Sequence, residues 1–377
     1  MYQKGKEKDA NKIVLTAGHA ATTALATVEG LVRRNKPGKS WEIFFIGSQF
    51  AVEGLKAPTL ESLVLPKVGV SFHPLISGRV QRKLTFWTLP SLFKIPLGFI
   101  HAFLLLKKIK PAIIVSFGGY SAFPVVVVGW ILRIPIVIHE QTSAVGRANL
   151  FSAPFAKRIA LARGESIKYF PKKKVKIIGN PILSNILAVA GKRVKGNPPL
   201  IYITGGSRGS QTMNEVISQI IERLLEKYRV IHQTGYFDYE KFIKIKKSLD
   251  KSLLGNYEVH KVIDPNDIAS VYQRTDMVIS RAGANSVSEI IATKRPAILI
   301  PIPFSYKDEQ TKNAQYARKY GLARILLQSR LTKESLLEEI NKLDSNWEEM
   351  VKKVKNKKSP DINAAKNLVG LIEETLK

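Results

Sequence analysis

Between the apolar runs Met277-Val278-Ile279 and Ile290-Ile291-Ala292 lies SRAGANSVSE, which sets Arg281, Gly283 and Glu289 in one short turn. A bare strand-to-helix turn needs the glycine but has no use for the arginine, whereas an anion at the turn needs both. Glycine lets the backbone come close to a ligand, and a helix start offers unpaired N–H groups at the positive end of its dipole. Glu289, just inside the helix, can accept two ribose hydroxyls while Arg281 and the backbone receive phosphate. A nucleoside diphosphate therefore accounts for all three residues. Ser286 and Glu289 also fit the spacing of a capping box, which would explain the carboxylate alone and leave Arg281 and Gly283 without a reason.

Three further strand ends carry a glycine turn before a helix: Thr16-Ala17-Gly18-His19, Phe117-Gly118-Gly119-Tyr120 and Thr204-Gly205-Gly206-Ser207. With SRAG that makes two turns in each half of the chain. The strands that lead to such turns are short, continuous apolar runs. IVLTAG, EIFFIGS, AIIVSFGG, IPIVIHE and RIALA lie in the first half, LIYITGG, RVIHQTG, MVISRAG, AILIPIP and ARILL in the second. Such runs, alternating with helical patterns, specify parallel sheets covered on both faces, whose ligands bind beyond the strand C-termini. The expected fold is α/β, two Rossmann-like parallel-sheet domains facing a cleft. The strand VKIIGNP followed by the polar GKRVKGNPP places the boundary. This gives residues 1–182 and 183–358, with an amphipathic helix in 359–377, opened by a capping signal, packing back on the first domain.

Two familiar phosphate motifs are absent. The first turn lacks the G-x-G-x-x-G spacing, and EIFFIGSQ ends without the acid a dinucleotide site requires. Gly38-Lys39-Ser40 imitates the end of a P-loop, but the partner glycine is Arg33 and a strand follows instead of preceding it.

The 377 residues suffice for two domains, and 45% hydrophobic with 24% charged content is that of a globular chain. With no cysteine, disulfides and thiolate metal sites are excluded, and a reducing compartment is expected. The formal charge of +29 suits nucleic acid, an anionic membrane face or phosphorylated substrates, and equally plain solubility. The N-terminal MYQKGKEKDANKIVLTAGHAATTALATV is read as a strand and glycine turn instead of a secretion signal, because His19 and several threonines interrupt the apolar stretch.

HEQTSAVGRAN, GNP, GGSRGSQTMNEV, HQTG, RAGANSVSE and DEQTKNA, in this order, resemble the MurG family of bacterial N-acetylglucosaminyltransferases, which convert lipid I to lipid II in peptidoglycan synthesis. The resemblance covers the chain from about Ile13 to Leu336. It implies the two-domain glycosyltransferase B fold, inversion at the anomeric carbon, and neither a metal in the donor site nor a cofactor. It places Ser207 on the donor diphosphate, and Ile263 on the uracil through its backbone. Arg281 and the turn Ala284, Asn285, Ser286, Val287, Ser288 and Glu289 would hold diphosphate and ribose. Gln310 and Asn313 would bind donor-sugar hydroxyls. Thr16, Ala17, Gly18 and Thr142, the last replacing the usual asparagine after HEQ, fall on the donor side. Gly119, Tyr120, His139, Glu140 and Asn149 fall on the acceptor side. The chain departs from the family in its first loop, which reads LTAGHAATTALA where GGTGGH followed by x-x-P is usual, and at Leu183, where an arginine is usual.

The implied chemistry is a single displacement. An acceptor sugar hydroxyl attacks the anomeric carbon of UDP-N-acetylglucosamine, with His19 as the candidate general base. With no D-x-D sequence, helix dipoles and Arg281 must neutralise the leaving diphosphate. The acceptor, a polyprenyl diphosphate glycopeptide, requires contact with an anionic membrane at its cytoplasmic face as a peripheral protein. In GRVQRKLTFWTLPSLFKIPLGFIHAFLLLKKIK, Phe86, Trp87, Leu89, Leu92 and Phe93 stand among Arg79, Arg82, Lys83 and Lys94, an apolar patch rimmed by cations. The alternatives are another lipid-directed UDP-sugar transferase of this fold, a UDP-sugar epimerase, or a basic nucleic-acid-binding protein. The last has no recognisable nucleic-acid motif and leaves the site residues unexplained, so no specific nucleic acid is expected.

Overall fold

The computed structural model describes residues 11–18, 20–35, 40–52, 55–76, 78, 88–189, 191 and 194–377, with the backbone alone at 51–52, 55–57 and 88–93. The chain divides into two compact units, Met1–Leu183 with Pro360–Lys377, and Ser184–Ser359.

In the first unit the strands are β1 (Asn11–Ala17), β2 (Trp41–Gly47), β3 (Phe50–Val52), β4 (Leu55–Pro58), β5 (Ser71–Pro74), β6 (Ile113–Ser116), β7 (Ile136–Glu140), β8 (Arg158–Leu161) and β9 (Val175–Ile177). Seven of them form one sheet in the order β5-β2-β1-β6-β7-β8-β9, each pair parallel, and β3 and β4 form an antiparallel hairpin. The central strands are apolar on both faces because both are covered: Ile13, Val14, Leu15, Ile113, Ile114, Val115, Val137 and Ile138 are fully buried. The edge strands β5 and β9 are partly exposed and polar in alternation, and β5 has no apolar run that would announce it.

The last helix, Ala364–Leu376, buries Leu368, Val369, Leu371 and Ile372 against this unit, where Val369 meets Gly30 of the helix Ala21–Arg33. Lys157 Nζ donates to the Thr375 carbonyl at 2.7 Å, and Arg34 pairs with Glu373. The expected cap at its start is not formed. Asn363 holds the cap position without a side-chain bond, because the Asp361 carboxylate turns inward instead. Asp361 receives Arg163 Nη1 at 2.6 Å and Nη2 at 2.8 Å, and the Asn180 N–H at 2.8 Å, all buried.

The second unit holds β10 (Leu200–Thr204), β11 (Arg229–Gln233), β12 (Tyr257–His260), β13 (Met277–Ser280), β14 (Ala297–Leu299) and β15 (Ala323–Ile325). They form a parallel sheet in the order β12-β11-β10-β13-β14-β15. Helix Gln211–Leu225 covers one face, with Met213, Ile217, Ile220, Ile221 and Leu224 packed into a core that includes Ile203, Val230, Phe242 and Trp347. Strands β10 and β13 are neighbours with Thr204 opposite Ser280. The loops leaving them, and the helices those loops start, therefore emerge side by side at the C-terminal edge, where sheets of this kind bind ligands. Among the described residues no helix is long and apolar enough to cross a membrane.

Candidate active site

Thr204 leads into Gly205-Gly206-Ser207-Arg208-Gly209, and Ser210 caps helix Gln211–Leu225 by accepting the Met213 N–H. Gly209 has φ +74°, and a Cβ there would lie 2.1 Å from the Thr234 carbonyl oxygen. Only glycine lets this loop fold onto the turn after β11. Ser207 stands exposed on the loop.

Arg281, the first residue after β13, reaches under that loop. Its Nε and Nη2 donate to Ser210 Oγ at 3.0 and 2.6 Å, and its Nη1 donates to the Ile300 carbonyl at 3.1 Å. Arg281 is 7% exposed, and burial lowers its pKa to about 10, so it remains a cation at neutral pH. Among the described residues no carboxylate pairs with it; its bonds go to a hydroxyl and a carbonyl. A desolvated cation without a counter-charge is costly unless an anion completes it.

Two residues on, the helix Ala284–Thr293 starts at Gly283, whose cap supplies no side-chain acceptor. Ser286 lies inside the first turn, so the capping box that its spacing with Glu289 allows is not formed. Val287 and Ser288 are buried, while Ala284, Asn285 and Ser286 are partly exposed. The Glu289 carboxylate accepts the Tyr272 hydroxyl at 3.2 Å. Burial raises its pKa to about 7, against the opposing pull of the Tyr272 bond.

The other residues expected on the donor side are engaged as follows. Ile263 donates its N–H to Gln233 Oε1 at 2.9 Å, which leaves its carbonyl as the backbone group for a base. Gln310 Oε1 accepts the Ile302 N–H at 3.1 Å, and Asn313 Nδ2 donates to the Ala282 carbonyl at 3.2 Å. Asn313 thus ties helix Glu309–Tyr320 to the Arg281 turn. Lys307 and Asp308, just before Gln310, both sit at φ +53°, a strained pair of left-handed residues of the kind that clusters at ligand sites.

In the first unit the two glycine turns lock together. The Gly18 N–H donates to the Gly118 carbonyl at 2.8 Å, Phe117 N–H to Thr16 O at 2.9 Å, and Ser121 Oγ to Ala17 O at 2.9 Å. Gly119, at φ +95°, is so close that a Cβ would lie 2.5 Å from Gly18 Cα. Tyr120 beside it is partly exposed. His19 lies outside the described residues.

Glu140, at the end of β7, is buried and fully bonded. Its Oε1 accepts Thr142 N–H at 3.0 Å and Thr142 Oγ1–H at 2.7 Å, and its Oε2 accepts Gly146 N–H at 2.9 Å and Asn149 Nδ2 at 3.0 Å. His139 is buried, donates Nε2–H to the Gly179 carbonyl at 3.0 Å, and has its pKa lowered to about 4 by burial, so it is neutral. Its position is that of a bridge between β7 and the GNP loop. Leu183, 3% exposed, belongs to the core and offers no charge to phosphate.

Phe86 and Trp87 lie outside the described residues. Leu89, Leu92 and Phe93 fall in helix Thr88–Ile109, where only their backbone is described. Further along that helix Leu97, Ile100 and Leu104, one face at helical spacing, are 51–60% exposed. Trp130 and Ile131 are similarly exposed at the end of the neighbouring helix Ala122–Ile131. Sequence reasoning did not single out these five, nor Ser210, Gln233 and Tyr272. Ser210 and Gln233 nevertheless stand inside the GGSRGS and HQTG motifs.

The glycosyltransferase family 28 N-terminal domain model matches residues 46–161, and the family 28 C-terminal domain model matches residues 200–368. A Bacillus cereus protein, "UDP-N-acetylglucosamine--N-acetylmuramyl-(pentapeptide) pyrophosphoryl-undecaprenol N-acetylglucosamine transferase 2", is 31% identical over 89% of this chain and 92% of its own length. The transferase of the same name, without the final numeral, from Legionella pneumophila is 33% identical over 96% of each. Among solved structures, MurG of Acinetobacter baumannii superposes with a TM-score of 0.66 at 24% identity, covering 97% of this chain and 99% of the other. A Neisseria meningitidis UDP-GlcNAc 2-epimerase bound to UDP-GlcNAc gives 0.67 at 13% identity, covering 96% and 100%. Both structural likenesses concern the fold, two α/β domains of the glycosyltransferase B kind. Match by match and motif by motif, the chain belongs to glycosyltransferase family 28, in the family of the UDP-N-acetylglucosamine–N-acetylmuramyl-(pentapeptide) pyrophosphoryl-undecaprenol N-acetylglucosamine transferases.

Proposed function

We propose that this protein transfers N-acetylglucosamine from UDP-N-acetylglucosamine to the muramoyl sugar of lipid I, giving lipid II. The observation that supports it most is Arg281: a buried guanidinium without a carboxylate partner, placed where a glycine loop and two helix starts converge. A diphosphate completes it, and Glu289 lies in the helix that begins three residues after Arg281, for the ribose. The Ser184–Ser359 unit is then the donor domain and the Met1–Leu183 unit the acceptor domain.

The reaction is an inverting displacement. The acceptor hydroxyl loses its proton to His19 and attacks the anomeric carbon as UDP departs. Charge building on the leaving diphosphate is met by Arg281 and the amides of the helix starts, which are already oriented before the reaction. The exposed apolar face of Leu97, Ile100 and Leu104, with exposed Lys107, Lys108 and Lys110 at its end, supports peripheral binding to an anionic membrane at the cytoplasmic face, where a lipid-borne acceptor is held.

Incubation with UDP-N-acetylglucosamine and a lipid I analogue tests the proposal. The expected product is the disaccharide-bearing lipid, formed in proportion to UDP released. UDP release or isomerised sugar without acceptor would instead indicate an epimerase.

A further inference from the structure

We infer that Gln233 is a positioning residue that fixes the phosphate-facing loop and the base-facing loop of the donor site in register with each other. The inference rests on the donor reading above and adds to it a residue that touches no substrate. Gln233 ends β11 and is 5% exposed. Its Nε2 donates to Thr204 Oγ1 at 3.0 Å and to the Gly206 carbonyl at 3.0 Å, both at the root of the Gly205–Gly209 loop. Its Oε1 accepts the Ile263 N–H at 2.9 Å, in the segment after β12. One planar amide therefore joins two loops that lie 27 to 30 residues from it in sequence, one on either side.

The chemistry fixes which way the amide faces. A carbonyl and a hydroxyl oxygen lie on one side and an N–H donor on the other, so nitrogen must face Gly206 and oxygen must face Ile263. Both amide hydrogens are engaged, which leaves Gln233 no donor for a ligand. The bond to Gly206 holds a residue at φ +82°, where the loop begins its turn. The bond to Ile263 holds that residue by its N–H, and the Ile263 carbonyl, in the following peptide, is the group left for a base. Neighbouring backbone bonds, Thr234 N–H to His260 O and Gly235 N–H to Lys261 O, both 3.0 Å, run the second loop alongside β11 but do not reach the glycine loop. The glycine loop packs on Thr234 and Gly235 at Gly209, and the Gln233 side chain adds direct hydrogen bonds to both loops.

A ligand that spans both loops depends on their register, whereas a fragment that touches one loop does not. The test is calorimetric titration of the full chain, wild type and Gln233→Met, with UDP, with uridine and with inorganic pyrophosphate. UDP binding is expected to weaken about 30-fold on loss of the bridging hydrogen bonds, while each fragment changes by less than about 3-fold. Gln233→Glu keeps the acceptor for Ile263 but sets a carboxylate against the Gly206 carbonyl, and it is expected to lose as much. If UDP weakens by no more than the two fragments together, Gln233 has only a structural role and the inference fails. If wild type does not bind UDP at all, the donor reading itself fails, a distinguishable result. Should Gln233→Met not fold, Thr204→Val removes one of the three contacts, together with the bond Thr204 Oγ1 accepts from Gly206 N–H, with a split of about 5-fold between UDP and uridine expected and an equal loss on all three ligands overturning the inference.

Discussion

At the C-terminal edge of the β10–β15 sheet, Arg281 is buried and Glu289 half-buried, neither with an opposite charge among the described residues. At the same edge of the β1–β9 sheet, Glu140 accepts four hydrogen bonds and Arg163 is locked to Asp361. The two units share strand order logic, glycine turns and helix starts, yet Arg281 and Glu289 lack a counter-charge, while Glu140 is satisfied by four neutral donors and Arg163 by a carboxylate. Unmatched buried charge is tolerable only where a ligand supplies the partner, whereas matched charge shapes loops. His139, Glu140 and Asn149, expected on the acceptor side, and Thr142, expected on the donor side, are engaged here in bonds that hold the segment after β7, whereas Arg281 and Glu289 are proposed to meet a nucleotide.

The comparison breaks or sharpens under substitution. The largest effect is expected from Glu140→Ala, which strands two backbone N–H groups, a hydroxyl and an amide, and should cost about 3 kcal/mol of stability in its unit by denaturant unfolding. UDP affinity should stay unchanged, and a selective loss of UDP binding would erase the contrast. Arg281→Met should weaken UDP by about 2 kcal/mol, roughly 30-fold, without lowering thermal stability, because the buried cation is unpaired in the free protein.

Glu289→Gln is next. The wild-type carboxyl titrates near 7 instead of the ordinary 4.5, so across that window the folded protein holds more protons than the unfolded chain. Stability of the free protein therefore falls as pH rises through it, and the substitution should flatten that slope. Ribose hydroxyls favour the ionised carboxylate, so UDP should bind more tightly, with proton release, as pH rises to about 7. The Gln variant should bind about tenfold more weakly with no such pH dependence. The smallest effect is that of His139→Gln. Its folded pKa of about 4 lies below 6.5, so wild-type stability is lost as pH falls through that range. The variant should remove a slope of at most about 1.4 kcal/mol per pH unit and change nothing in the donor titration at neutral pH.

Much of this was legible in the residues. The central strands announce themselves because double coverage demands unbroken apolar runs, as in IVL, AIIV and LIYI. Edge strands β5 and β12 do not, since SFHP and YEVH alternate and are half exposed. Arg281 stands out because a cation beside a glycine turn has no purely local use, whereas a capping box would account for Glu289 alone. Ser210, Gln233 and Tyr272 were hidden for the opposite reason. A serine at a helix start or a glutamine at a strand end is locally unremarked, and its importance comes only from partners 17 to 71 residues away. The exposed face of Leu97, Ile100 and Leu104 was concealed likewise, because an apolar helix reads the same whether its face is covered or open.

The most direct measurement is a crystal structure with UDP bound. The account predicts the diphosphate against the Arg281 guanidinium and the amides of Ala284–Ser286, with both ribose hydroxyls on the Glu289 carboxylate. A diphosphate seated elsewhere, with Arg281 still bonded only to Ser210 and Ile300, would contradict it.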